Sequence, residues 1–174
     1  MKKELFCIKI NLKKFMNSSD ISDLPYRNNV CCIVYKGEEF LLLQDKGWPV
    51  NWWKFPQGGI NIDETIEQAA SRELKEETGS DNFKIIGLSK SSNIYDWNDE
   101  SVRLAGYRWR GQDQKYLVVE YFGNTDDVSL DVDETQSYKW VTLENLWSNI
   151  DHDDKNFTNY KHAIEKVLKE FNLI

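Results

Sequence analysis

Glu73, Glu76 and Glu77 sit close together in residues 58–79, GGINIDETIEQAASRELKEETG. On an α-helix, which turns about 100° per residue, the three carboxylates project within an arc of about 100°. Like charges on one helix face repel each other. A hard divalent cation, which prefers oxygen ligands, offsets that repulsion. Ile66, Ala69, Ala70 and Leu74 form an apolar stripe at helical spacing. Glu73 and Glu77 head into that stripe, while Ser71, Lys75 and Thr78 head to the opposite side. Acids beside a buried stripe are costly unless neutralised or hydrated. The competing reading is a solvated acidic helix paired through Lys75 and Arg72. The heading that the glutamates share with the apolar residues favours a metal-binding face.

The elements that must position these acids follow from pattern and punctuation. Thr65 with Gln68 makes a capping box, so the helix starts near Ile66. Gly79 suits its C-terminal stop. Pro56-Gln57-Gly58-Gly59 leads toward it, after an aromatic loop over residues 47–55. Residues 30–35 and 39–44 read as strands joined by a Lys36-Gly37-Glu38 turn. Residues 83–88, 115–122 and 138–141 read as further strands. Residues 143–150 and 157–171 read as helices, the second with Tyr160, Ala163, Ile164, Val167, Leu168 and Phe171 in phase. Residues 92–114 are expected to form a long polar and aromatic functional loop. Its Tyr95, Trp97, Tyr107 and Trp109 offer surface for a base. Near the start, Ile8, Ile10 and Leu12 alternate like a short strand, and Leu5, Ile8, Leu12 and Phe15 equally make a helical stripe. Residues 17–20 read as a turn or linker. The fold class is α/β, a mixed sheet with helices on its faces.

At 174 residues the chain is expected to be mainly one domain with a real core. The net charge of −7 excludes a broad basic surface for DNA or bulk nucleic acid, so a phosphorylated substrate needs local cations. Cys7, Cys31 and Cys32 are too few and badly spaced for a disulfide framework or a zinc site. They suit a reducing compartment. No run approaches a membrane span, and MKKELFCIKINLKKF lacks the continuous apolar core of a signal peptide. A cytoplasmic location is expected.

Gly58, Glu64, Arg72, Glu73, Leu74, Glu76, Glu77 and Gly79 match the Nudix box position for position. Ser80 departs from it, standing where the family usually has an aliphatic residue. LPYRNNV at 24–30, WWKFPQGGIN at 52–61 and RGQDQKYLV at 110–118 resemble one Nudix subgroup. That subgroup holds the bacterial RNA 5′-pyrophosphohydrolases and the plant-type dinucleoside polyphosphate hydrolases. The resemblance spans about residues 24–171, giving an N-terminal extension over 1–23 and a Nudix hydrolase domain over 24–174. It implies an α/β/α sandwich and a Mg²⁺-dependent (or Mn²⁺-dependent) enzyme that hydrolyses phosphoric anhydride bonds.

The same resemblance implies roles. Glu73, Glu76 and Glu77 would be metal ligands, with a main-chain carbonyl of Gly58-Gly59, taken as Gly59, completing the shell. Arg72 would orient a glutamate through its fork of donors, and Glu64 would tie loop to helix. Gly58, Glu64 and Gly79 are the structural members of the motif. Glu77 is one candidate base. Glu134 is placed like a further catalytic carboxylate of the subgroup; the alternative is one acid of a solvated loop with Asp131 and Asp133. Lys115, with Tyr116, would face phosphate, or be an ordinary strand lysine. Arg27 would lie near the site or serve the structure.

Trp48, Trp52 and Trp53 can stack a base, though loop packing is the expectation. His152 and His162 lack ligand-like partners, and Lys161 reads as part of a solvated helix face. In this chain Lys54 replaces the subgroup's usual glutamine in WQFPQGG, and Gln44-Asp45-Lys46 replaces its basic residues after the second strand. Both changes bear on base recognition. The expected substrates are dinucleoside polyphosphates or triphosphorylated RNA 5′ ends. Alternatives are a nucleoside triphosphate, a nucleotide sugar, or a non-catalytic nucleotide sensor.

Overall fold

The computed structural model describes residues 21–130 and 133–174; the expected segment at residues 5–15, the 17–20 turn, Cys7 and Asp131 lie outside the described residues. The elements run β1 (Tyr26–Lys36), β2 (Glu39–Asp45), β3 (Gln57–Gly59), α1 (Ile66–Thr78), β4 (Phe83–Asp96), α2 (Asp99–Leu104), β5 (Gly111–Tyr121), β6 (Thr135–Thr142), α3 (Leu143–Ile150) and α4 (Tyr160–Glu170). Val30–Val34 and Leu41–Leu43 are fully buried on both faces. Such continuous apolar runs belong to central strands covered on both sides.

The sheet order is β4-β5-β1-β2-β6, with the short β3 also paired to β1. β1 and β5 run parallel, Val30 opposite Lys115. The other pairs are antiparallel, so the sheet is mixed. Strand alternation then splits the core in two. Val30, Cys32, Val34, Leu41, Leu43, Leu117 and Val119 meet Ala69, Ala70 and Leu74 of α1 on one face. Cys31, Ile33, Phe40, Leu42, Tyr116 and Val118 meet Leu146 and Ile150 of α3 and Ala163, Ile164, Val167 and Leu168 of α4 on the other. The architecture is the expected α/β/α sandwich.

Several expectations need correction. Residues 92–114 are not one loop. β4 continues to Asp96, α2 follows with Asn98 as its cap, and β5 starts at Gly111. β4 lies at the edge of the sheet, where alternate side chains such as Ile86, Leu88 and Ile94 are exposed, so its apolar signal is diluted. β1 begins at Tyr26, before its apolar run, because residues 26–29 pair with β5. β6 likewise begins at Thr135 by pairing with Asp45. The last helix starts at Tyr160, and Phe157 closes a separate 3-10 turn. Thr78 does not face away from the apolar stripe. It is fully buried, and its hydroxyl donates to the Leu74 carbonyl at 2.5 Å. Four residues after Leu74 on a helix, it shares that residue's face.

Leu74 joins α1 to the sheet and is 1% exposed. Leu74→Ala is expected to destabilise the protein by about 2–5 kcal/mol in urea unfolding, the usual cost of such a cavity.

Candidate active site

α1 is fixed at both ends. The Thr65 hydroxyl accepts from the Gln68 N–H, and the Gln68 side chain accepts from the Thr65 N–H. Gly79 ends the helix at φ +67°, a left-handed conformation that glycine adopts without strain. Its N–H donates to the Lys75 carbonyl. With the helix pinned, Glu73 and Glu77 lie toward the sheet, their side chains 14% and 11% exposed, while Glu76 is 57% exposed. Glu73 passes over β3. A Cβ on Gly58 would stand 1.8 Å from the Glu73 carboxyl carbon, so only glycine leaves room for that carboxylate.

Arg72 gathers the motif. Its Nε and Nη2 donate to the two oxygens of Glu64 at 2.6 and 2.9 Å. Nη1 donates to Glu73 Oε1 at 2.7 Å and to Glu76 Oε2 at 3.1 Å. Nη2 also donates to the Gly59 carbonyl at 2.8 Å. Glu64 accepts as well from the Asn61 N–H. The Arg72 bonds, with that N–H, hold the Glu64 carboxyl down at about 2, and Glu64, with Glu73, raises Arg72. The guanidinium thus ties β3, the following loop and two acids of α1 into one unit.

Glu77 is held differently. Its Oε2 accepts from the Gln57 N–H at 2.9 Å. Its Oε1 lies 3.5 Å from the Lys54 ammonium, which also pairs with Asp45 at 2.8 Å. Burial pushes the Glu77 carboxyl up to about 7, because the pull of Lys54 and the Gln57 N–H is countered by Asp45 and Glu73. Lys54 pays a desolvation cost too, yet two adjacent carboxylates leave it firmly protonated.

Glu134 stands where β6 begins, its carbonyl accepting from the Lys46 N–H. Glu73, Glu76, Glu77, Glu134 and Thr135 line one cavity of about 310 Å³. The hydroxyl of Thr135 is buried and has no hydrogen-bond partner among the described residues. Among the described residues, no three acidic, histidine or cysteine side chains converge closely enough to hold a metal ion in their present positions. In this arrangement Arg72 and Lys54 neutralise the acids of α1. The donor set still fits Mg²⁺ or Mn²⁺: it is all oxygen, it borders solvent, and it includes a buried hydroxyl in need of a polar partner.

Arg27 borders a second cavity of about 400 Å³ with Gly59, Arg72, Glu73 and Trp109. Its guanidinium packs under Gly59, where a Cβ would lie 2.5 Å from Nη2, and stands 5.5 Å from the Trp109 ring. Burial lowers its pKa, an effect that Glu73 opposes. Lys115 follows Val30 and Gly58 across the sheet and shares the α1 face with Leu117 and Val119. Two strand spacings place its backbone roughly 10 Å from Gly58. Its ammonium pairs with Asp113 at 2.9 Å. Tyr116 is not beside it. Neighbours on a strand point to opposite faces, and Tyr116 is fully buried in the other core with its hydroxyl on Gln114.

An aromatic cavity of about 260 Å³ opens on that other face, bordered by Trp48, Trp52, Tyr95, Trp97, Gln57 and Gln112 among others. Gln57 joins it to the acids: its N–H serves Glu77, and its side-chain oxygen accepts from Gln114. Trp53 is packed instead, 8% exposed, under the Lys139 ammonium. Of the remaining candidates, Tyr107 and Trp109 do not border this cavity. His152 is half-buried against Trp52 and Phe157, and Lys161 pairs with Asp151.

Sequence reasoning passed over Asp45, Gln57 and Thr135 as members of the site. It noted Lys54 only as a substitution. The available signal for Lys54 was a lysine alternating with Trp53 and Phe55, a position inside an apolar segment where a charge needs a partner.

A model of the NUDIX domain matches residues 25–163. An RNA pyrophosphohydrolase of Gluconacetobacter diazotrophicus is 34% identical over 74% of this chain and 84% of its own length. One from Novosphingobium aromaticivorans is 40% identical over 71% of this chain and 81% of its own length. Among solved structures, a C. elegans Ap4A hydrolase in a binary complex superposes with a TM-score of 0.59 at 24% identity, covering 84% of this chain and 99% of that one. At that identity the likeness speaks for the fold.

Gly58→Ala is expected to turn Glu73 away from β3 and break its bond to Arg72, at an overpacking cost of about 1–3 kcal/mol. A crystal structure and urea unfolding of the variant check both parts.

Proposed function

This chain belongs to the NUDIX family, and on that premise we propose that it is a Mg²⁺-dependent (or Mn²⁺-dependent) pyrophosphohydrolase. Its substrates are the polyphosphate chains of triphosphorylated RNA 5′ ends or of dinucleoside polyphosphates. The observation that carries this reading is the one cavity in which Glu73, Glu76 and Glu77 of α1 meet Glu134 and the buried hydroxyl of Thr135, which has no partner among the described residues. The names of the RNA pyrophosphohydrolase relatives favour RNA ends; the aromatic cavity beyond Gln57 suits a base in either substrate. A terminal phosphate chain needs few contacts, consistent with a net charge of −7.

In this reading Glu73, Glu76 and Glu77, with the Gly59 carbonyl, would hold the metal; Glu73, Glu76 and that carbonyl would give up part of their contact with Arg72, and Glu77 part of its contact with Lys54. A bound divalent ion supplies charge neutralisation for the phosphates and acidity for water. Glu134 is exposed, and the structure gives its carboxylate no hydrogen bond or ion pair among the described residues. It takes the proton of the attacking water, whereas Glu77 is held through both oxygens and serves as a ligand. Arg72 and Glu64 keep α1 aligned with β3. Arg27 and Lys115 contact phosphate oxygens beyond the cleavage point, which suits more than two phosphates. No serine, cysteine or histidine nucleophile takes part, so water attacks phosphorus directly. The buried free thiols Cys31 and Cys32 accord with a cytoplasmic setting.

Three measurements test this. With Mg²⁺ present, the protein should convert triphosphorylated RNA to a 5′-monophosphate end or split a dinucleoside polyphosphate, placing ¹⁸O from water on a phosphate. Turnover of a nucleotide sugar alone would overturn the substrate assignment. Glu76→Gln should lower kcat by on the order of a hundredfold or more, and near-normal turnover would contradict the metal role. Lys115→Ala should lower kcat/KM by roughly tenfold, the loss of one charge-assisted contact, with an unchanged Tm.

A further inference from the structure

Lys54 carries a buried charge that the reaction as described does not use. It bridges to Leu43 of β2 in both directions, N–H to carbonyl, at 2.8 and 2.9 Å. This fixes the backbone, and the side chain, only 9% exposed, runs under the site. Its ammonium stands between Asp45, at the end of β2, and Glu77 of α1, at 2.8 and 3.5 Å. The Trp48 ring lies 5.6 Å away, closing another side. Asp45 in turn pairs across the sheet with Thr135, and Thr135 and Glu77 both line the carboxylate cavity.

We propose that Lys54 is a resident counter-cation of the carboxylate site, a positioning residue that holds Glu77 from behind and lowers the affinity for divalent ions by competing for the same charge. The proposal rests on the metal reading above. Two consequences follow from Coulomb's law at short range. Without metal, the ammonium offsets the acids that would otherwise repel across α1 and β2. With metal, it would repel the incoming ion and compete with it for the Glu77 carboxylate. Asp45 acts in the opposite sense, drawing the ammonium away from Glu77.

Full-length protein and single variants are titrated with MgCl₂ after chelator treatment, following Tm by thermal unfolding. Lys54→Gln should have a lower Tm in chelator, a larger Mg²⁺-induced rise, and half-saturation at about fivefold less Mg²⁺ or lower still. Lys54→Arg, which keeps the charge, should stay near wild type. Asp45→Asn leaves Lys54 wholly to Glu77 and should shift half-saturation the other way, to higher Mg²⁺; it keeps the question open to measurement if Lys54→Gln does not fold. Lys75→Gln, one charge removed on the exposed side of the same helix, should change nothing.

An unmoved or raised half-saturation in Lys54→Gln overturns the proposal. So does a Lys75→Gln shift as large, or an Asp45→Asn shift to lower Mg²⁺. If wild type responds to Mg²⁺, Glu76→Gln loses the response and Lys54→Gln matches wild type, only this inference fails. If wild type shows no response, the metal reading fails with it.

Discussion

The gathering of acids around the end of one helix is the constraint to which the rest of this structure answers. Glu64, Glu73, Glu76, Glu77, Asp45 and Glu134 converge from α1, the loop before it, β2 and the start of β6. Two cations hold all of them but Glu134: Arg72 forks across Glu64, Glu73, Glu76 and the Gly59 carbonyl, and Lys54 lies between Asp45 and Glu77. Partly buried ion networks of this kind contribute little net stability, since desolvation offsets much of the attraction. Breaking one partner, however, leaves a charge unpaired. The network therefore specifies geometry, and the two apolar layers on either side of the sheet supply the stability that tolerates it.

Those layers also explain why the site can be rigid. α1 is anchored by Ala69, Ala70 and Leu74 against β1, β2 and β5, so its acids cannot retreat from one another by moving the helix. Alanine at two contact positions lets the helix approach the sheet closely, which brings Glu73 over Gly58. The remaining freedom lies in side chains. Exchange of a divalent ion for part of the Arg72 contact would need only a rearrangement of carboxylate rotamers on a fixed frame, the arrangement expected of a preorganised site.

Much of this was legible in the sequence. The capping box at Thr65 and Gln68 and the stop at Gly79 place α1 where it lies, because helix ends are decided by local chemistry. The box residues place Arg72 beside its acids for the same reason: they sit one to four residues apart, or eight in the case of Glu64. What stayed hidden depends on partners distant in sequence. The strand character of residues 92–96 and 111–114 comes from pairing with each other and with β1, not from apolar alternation. The Lys54–Asp45–Glu77 group draws on three separate segments. Tyr116 neighbours Lys115 in the chain, yet the pleat sends the two to opposite faces. Thr78 was assigned outward although it lies one turn from Leu74, an angular misreading that the 3.6-residue period corrects.

The central claim is that Glu73, Glu76 and Glu77, held by Arg72 and Lys54, are the ligands of a catalytic divalent ion. The most direct measurement is an anomalous difference map from crystals soaked in Mn²⁺. The account predicts a peak inside the cavity bordered by Glu73, Glu76, Glu77 and Glu134, at roughly 2.1 Å from carboxylate oxygens, with Glu73 or Glu76 drawn off Arg72. A fully soaked crystal with no peak there, and Arg72 still bonded to both glutamates, would contradict it.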